Sequence, residues 1–208
     1  MTSHPSSDIA FTDAVKAVQA RRHSREKFEK LEARGGFRTG ITPDLAGFLA
    51  GVDTAYLATA SAAGQPYAQH RGGPKGFIRV LDGATLGFAD FAGNRQYVTT
   101  GNLSENDRAF LFLMDYAHRR RIKLWGRARA VEGNEALLAQ VMPPDYPARP
   151  EQVILFTVEA WDMNCPQHIP QKFDAADVAG ALQDLQEQLA AAKAENARLR
   201  AELAEHQL

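Results

Sequence analysis

From Arg121 to Glu132 the chain alternates with period two. Ile122, Leu124, Gly126, Ala128 and Ala130 fall on one side, and Lys123, Trp125, Arg127 and Arg129 on the other. Successive side chains of a strand point to opposite faces, so this pattern describes a strand with one face on a core and the other toward polar surroundings. A helix would scatter the same residues around its axis. Such a strand needs neighbours, and they are legible. TAYLATA (54–60) is followed by a turn at Ala63-Gly64-Gln65 and a return over Pro66 to His70. Phe77 to Leu81 and Thr85 to Asp90 flank Asp82-Gly83, a hairpin signal. Arg108 to Tyr116 (RAFLFLMDY) reads as a strand buried on both faces, and Val153 to Trp161 as the last strand. Short strands at this spacing, with helices at the edges, predict a small barrel.

The flanks are helical. Residues 1–10 read as a disordered tail. From Phe11 to Leu31 one helix is expected, with Phe11, Val15 and Val18 on one face, ended by Arg34-Gly35-Gly36. Thr42 as cap, Pro43 at the first helical position and Gly51 as terminator frame a second helix. Glu135 to Met142 is a third, stopped by Pro143-Pro144. The segment 174–208 differs in kind. Written as heptads, Leu182, Leu189, Asn196 and Leu203 occupy a, while Leu185, Ala192, Leu199 and His206 occupy d. A single Asn at a favours a parallel dimer in register, and Glu195 at g would face Arg200 at e of the partner.

A chain of 208 residues with 45% hydrophobic and 24% charged residues can bury a real core. Lys and Arg number 24 against 25 Asp and Glu, for a formal charge of −1, which is no footprint for a nucleic-acid binder. No apolar run approaches the roughly 20 residues of a membrane span. One cysteine, Cys165, cannot form an internal disulfide. The polar start of the chain carries no secretory signal, so the expected location is cytoplasmic.

Three stretches resist explanation as core. In Gln69-His70-Arg71-Gly72-Gly73-Pro74-Lys75-Gly76-Phe77, glycines would let backbone N–H groups approach a ligand, and Arg71 and Lys75 add positive charge. That suits a phosphate, or equally a wide basic turn. In Gly87-Phe88-Ala89-Asp90-Phe91-Ala92-Gly93-Asn94-Arg95-Gln96 a strand runs into a loop and a helix start, where anions bind. Arg95 can clasp a phosphate in bidentate fashion, and Asn94 is a donor or simply a helix cap. The third, Trp161-Asp162-Met163-Asn164-Cys165-Pro166-Gln167-His168-Ile169-Pro170, is rich in hydrogen-bonding groups. Cys165 and His168 invite a metal, but the other histidines supply no ligand spacing, so no metal is expected. The basic run 118–123 enters the alternating strand and reads as one face of it.

Taken in order, these motifs resemble the FMN-binding split barrel of the pyridoxamine 5′-phosphate oxidase-like family, and within it an uncharacterised subgroup with HRGGPKGF and WDxNCPQHIP segments. The resemblance runs from about Asp53 to Pro170. It implies an α+β, mainly β fold with a split-barrel flavin domain at 52–173; N-terminal helices at 11–51 are expected to pack on it, and the heptads of 174–208 predict a parallel dimeric coiled coil, the alternative being a solitary amphipathic helix packed on the barrel. It implies an FMN-dependent oxidoreductase, a homodimer with FMN between two barrels, acting on a small molecule with NAD(P)H as a potential electron donor. The residues carried over as cofactor-binding are His70, Arg71, Gly72, Gly73, Lys75, Ala89, Asp90, Asn94, Arg95, Gln96, Arg121, Lys123, Trp125, Trp161, Asn164, Gln167 and His168. His70 and His168 are the candidates for catalytic proton transfer. The Arg-Leu-His triplet with which the oxidase holds pyridoxal phosphate is missing, so pyridoxamine phosphate is not the expected substrate. A flavin-binding or flavin-sensing module without turnover and a haem-binding split barrel are the alternatives.

Overall fold

A computed structural model describes residues 4–164 and 167–205. Residues 1–115 with 120–167 form one compact unit, and residues 116–119 with 168–208 a second. The helical appendage therefore takes in 168–173, which the sequence reading placed in the barrel.

In the first unit the chain runs α1 (Asp13–Arg21), α2 (Arg25–Glu32), α3 (Pro43–Ala50), β1 (Thr54–Ala60), β2 (Pro66–Gly72), β3 (Arg79–Val80), β4 (Thr85–Phe91), α4 (Val98–Glu105), β5 (Arg108–Asp115), β6 (Arg120–Val131), α5 (Glu135–Val141) and β7 (Pro150–Asn164). The seven strands form one antiparallel sheet in the order β2-β1-β5-β6-β7-β4-β3. The sheet rolls into the split barrel of an α+β fold. Its curvature shows in a contact between distant strands: Arg71 at the end of β2 forms an ion pair with Asp90 on β4, although four strands lie between them in the ladder.

The alternating strand behaves as its pattern requires. Ile122, Leu124 and Ala128 of β6 are buried, as are Ala55 and Leu57 of β1 and Ala109, Leu111 and Leu113 of β5. These join Leu45, Phe48 and Leu49 of α3, Phe77, Phe88, Phe156 and Trp161 in the main core. Helix α3 starts on the Thr42 hydroxyl, which accepts from the Leu45 N–H, with Pro43 at its first position. A smaller cluster of Ala89, Val141, Val153 and Leu155 sits under α5.

Gly126 is the tightest point of the sheet. A Cβ there would lie 1.9 Å from the Thr157 carbonyl oxygen, nearer than atoms can approach. The β6–β7 register shifts between Trp125 and Gly126, where an extra β7 residue bulges. Bulges bend the strand that carries them, so the close approach and the bend share one location.

Four expectations change. The tail is ordered from Ser6: Ser6–Ile9 is a 3-10 turn, the Ser6 N–H donates to Gly35 O and the Ser6 hydroxyl to Phe37 O. The long N-terminal helix is broken into α1 and α2 at His23, which takes the left-handed conformation (φ 57°). Val15 and Val18 are consequently exposed, while Phe11 packs edge-on against Phe28 and Phe37. The strand expected over 77–81 shrinks to β3, because Phe77 and Ile78 turn into the core. Strand β5 is buried on one face only; Phe110 and Phe112 are half-buried on the outer face. There Trp125 stacks at 9° on Phe37, with centroids 5.1 Å apart, and touches Phe110.

In the second unit, Gln171 donates to Ala117 O (2.8 Å) and the Lys172 ammonium lies over the Tyr116 ring. Helix α6 (Ala175–Glu205) follows.

Gly126→Ala is expected to lower the melting temperature by more than 10 °C, or to give no soluble protein, since backbone clashes fall at the severe end of substitution effects. Thermal melting followed by circular dichroism checks this, and a wild-type melt would show that the strands can part at no cost.

Candidate functional site

Along β2 the side chains of Gln69 and Arg71 lie on the core side of the strand, and His70 on the other. Arg71 and Asp90 are each only 11% exposed at the side chain. Burial pulls the Arg71 guanidinium below its ordinary basicity, while Asp90 and Tyr67 hold it up. An arginine starts so far above neutrality that it remains a cation. The second Asp90 oxygen accepts from Gln152 Nε2 (2.8 Å). The same nitrogen donates to the Thr100 hydroxyl (2.8 Å), and the Thr99 hydroxyl donates to Gln69 Oε1 (2.9 Å). The seam between β2 and β4 is therefore closed by side chains rather than by a ladder of backbone hydrogen bonds.

Above this network lies an open pocket of about 40 Å³, lined by Gln69, Arg71, Asp90, Phe91, Gly93, Asn94, Arg95, Tyr97, Thr99, Thr100 and Glu151. The start of α4 contributes Tyr97, in the left-handed conformation, and the two threonines. Arg95 is left-handed as well (φ 60°). Asn94 caps no helix; its side-chain oxygen accepts from the Gln96 N–H (3.2 Å) and sets the turn that presents Arg95. Arg71 Nε is buried and finds no partner among the described residues. An orphaned cationic donor, a second arginine, the Thr100 hydroxyl and a helix start suit a phosphate. Asp90 and Glu151 also line the pocket, and Asp90 is neutralised by Arg71.

Of the residues singled out from sequence, the pocket gathers Arg71, Asp90, Asn94 and Arg95. Gln96 is exposed beside it, and Ala89 turns into the smaller core cluster. The glycines serve the fold: the Gly73 N–H donates to Asp53 O and the Gly76 N–H to Val52 O, so neither is offered to a ligand. A Cβ on Gly73 would meet Phe77 at 2.7 Å, and one on Gly72 would meet His70 at 2.9 Å. Lys75 is exposed in this turn, away from the pocket lining. His70, Arg121, Lys123 and Trp125 share the outer face of the sheet. Pairing there aligns His70, Tyr56, Phe112, Lys123 and Asp162 in one row. Lys123 lies 3.5 Å from Asp162 and over the Trp125 ring. Trp161 is fully buried; its Nε1 donates to Gly40 O and Arg38 stacks on it, so it is core. Asn164 ends β7, Gln167 is exposed, and His168 belongs to the second unit. Cys165, Pro166 and His206 lie outside the described residues. Among the described residues no three His, Cys, Asp or Glu side chains converge on a metal position.

Sequence reasoning missed Gln69, Tyr97, Thr99, Thr100, Glu151 and Gln152. Gln69 was within reach, because it stands two residues before Arg71 on one strand face. Asp90→Ala leaves Arg71 buried without its countercharge and is expected to destabilise the protein by about 3 kcal/mol. Urea denaturation measures this, and a loss below about 0.5 kcal/mol would show that the pair does not hold the seam.

The chain matches the family described as pyridoxamine 5′-phosphate oxidase over residues 41–165, more than half its length. No curated protein matches it. Among solved structures, HupZ from Group A Streptococcus is 19% identical, covers 64% of this chain and 99% of its own, and has a TM-score of 0.47. A putative pyridoxamine 5′-phosphate oxidase from Lactobacillus delbrueckii is 19% identical, with 59% and 93% coverage and a TM-score of 0.45. An FMN-binding protein from Syntrophomonas wolfei is 12% identical, with 75% and 98% coverage and a TM-score of 0.44. With TM-scores below 0.5, these overlaps add nothing to the assignment. It rests on the match across β1 to β7, the stretch that builds both the barrel and the pocket, and by that match the chain belongs to the pyridoxamine 5′-phosphate oxidase family.

Proposed function

We propose that the protein is an FMN-dependent oxidoreductase that works as a homodimer on a small molecule other than pyridoxamine phosphate. The observation that carries this reading is the orphaned Nε of buried Arg71, which with Arg95 and the Thr100 hydroxyl of α4 suits an anion in a family named for a flavin-using oxidase. A bound flavin supplies two-electron chemistry that no side chain can perform.

The chain's own residues bind, orient and set charge. Arg71 and Arg95 would hold the phosphate, with the Thr100 hydroxyl, which accepts from Gln152, as a further donor. Asp90, fixed by Gln152, keeps the Arg71 guanidinium aimed. The outer-face group of His70, Lys123 and Trp125 lies across the sheet from the pocket. In the homodimer, this face of the second copy would be the one to meet a bound flavin. The half-buried aromatic surface of Tyr56, Phe110 and Phe112 supports that arrangement, because an apolar sheet face favours burial. Lys123 is the cation available to stabilise negative charge on the ring. His70 is exposed and, among the described residues, has ring nitrogens free to hydrogen-bond a substrate.

The test begins with the visible spectrum of the purified protein and the mass of its released chromophore, followed by NAD(P)H oxidation with an artificial acceptor. FMN and turnover are expected. Haem, a deazaflavin, or no uptake of any of these would overturn the assignment, and FMN uptake without turnover would leave a binding module. Arg95→Ala should weaken FMN more than tenfold in a fluorescence titration, as removal of a charged phosphate contact does. Unchanged affinity would take Arg95 out of the phosphate site.

A further inference from the structure

Helix α6 spans 31 residues, about 46 Å. Its Leu182, Leu185, Leu189, Leu199 and Leu203 are 43–62% exposed, and Val178 is 45% exposed. The helix begins a full heptad before the leucines, so the repeat has four turns of the pattern. Ala175, Leu182, Leu189, Asn196 and Leu203 occupy a; Val178, Leu185, Ala192 and Leu199 occupy d. An apolar stripe in strict heptad register is the seam of a coiled coil.

We propose that α6 pairs with α6 of a second copy of this chain as a parallel, in-register, two-stranded coiled coil. The charge pattern selects both partner and direction. The e positions carry Ala179, Gln186, Lys193 and Arg200; the g positions carry Ala181, Gln188, Glu195 and Glu202. In a parallel pair each g faces the e of the following heptad on the other chain. Glu195 then meets Arg200 and Gln188 meets Lys193, attractive or neutral at both ends of the seam. In an antiparallel pair g faces g and e faces e, and with the two helices fully overlapped Glu195 meets Gln188 and Lys193 meets Gln186, so the Glu195–Arg200 attraction is lost. One sequence that complements itself only when parallel favours a second copy over an unrelated helix.

Asn196 fixes the register. In the single chain its amide donates to Ala192 O one turn back (2.9 Å), so its side-chain oxygen is open to accept. A partner Asn196 amide supplies the donor only when the two residues are level. Any slip by a heptad buries each asparagine against leucine, with polar groups unsatisfied. Arg198 binds Glu195 and Glu202 on its own helix, leaving Arg200 for the partner.

The coil is read in the full-length protein carrying Cys165→Ser, with a single cysteine introduced at Leu185, Leu199 or Glu187. The first two are d positions and the third is f, on the outside. Under mild oxidation, Leu185→Cys and Leu199→Cys are each expected to give intermolecular disulfides at least tenfold faster than Glu187→Cys. Linkage at neither d position means an antiparallel pair, in which each d faces an a of the other chain, or another surface over the leucines, and linkage at only one means that the helices do not pair along the whole seam; both overturn the proposal. Equal linkage at all three means random collision and overturns it as well. Glu195→Lys in the Leu199→Cys background should slow linkage, and adding Arg200→Glu should restore it. Failure of that rescue also counts against the parallel register, because the lost Glu195–Arg198 contact is common to both variants. None of these readouts depends on flavin.

Discussion

The buried ion pair between Arg71 and Asp90 is the constraint around which the rest is arranged. A rolled sheet can close by backbone hydrogen bonds, or it can leave a seam and close it with side chains. Here the seam lies between β2 and β4, and the closure is Arg71, Asp90, Gln152 and Thr100 in one connected chain, with Gln69 and Thr99 beside it. A side-chain seam is polar by necessity, because charged groups inside a protein must be paired and hydrogen-bonded. The pocket is the outer surface of that seam. The same residues that join the barrel therefore line the candidate anion site.

Burial is divided accordingly. One face of β1, β5 and β6 carries the aliphatic core that any sheet of this size needs. The other face is aromatic and half-exposed, and the N-terminal segment covers part of it through Phe37 on Trp125. The fold has thus two places where chemistry can gather, the seam and the outer face, on opposite sides of the strands that connect them.

Much of this was legible in the sequence. The alternation around Gly126 specified a sheet and its buried face, and Thr42-Pro43 with Gly51 specified α3 to the residue. What escaped notice did so for physical reasons. His23 ends α1 in a conformation that glycine or asparagine usually marks, so no breaker was visible. The glycines of HRGGPKGF looked like a cradle for a ligand, yet they make room for Phe77 and His70 and bond back to Val52 and Asp53. Gln152 lies 62 residues beyond Asp90 and reaches it as its cross-strand partner on β7, and the roll of the sheet then brings Arg71 to the same carboxylate. Local pattern reports local geometry; a seam is made by residues that share nothing but the closing of the barrel.

The loop from Gly93 to Tyr97 holds two non-glycine residues, Arg95 and Tyr97, in the left-handed region. Each such residue costs on the order of 1 kcal/mol of backbone strain, which the surrounding structure must over-determine. That strain is borne whether or not an anion is present. A phosphate held there, as proposed, would meet a loop already turned toward it, and less of its binding energy would go into ordering that loop. The protein would in effect have exchanged a little folding stability for a site shaped in advance.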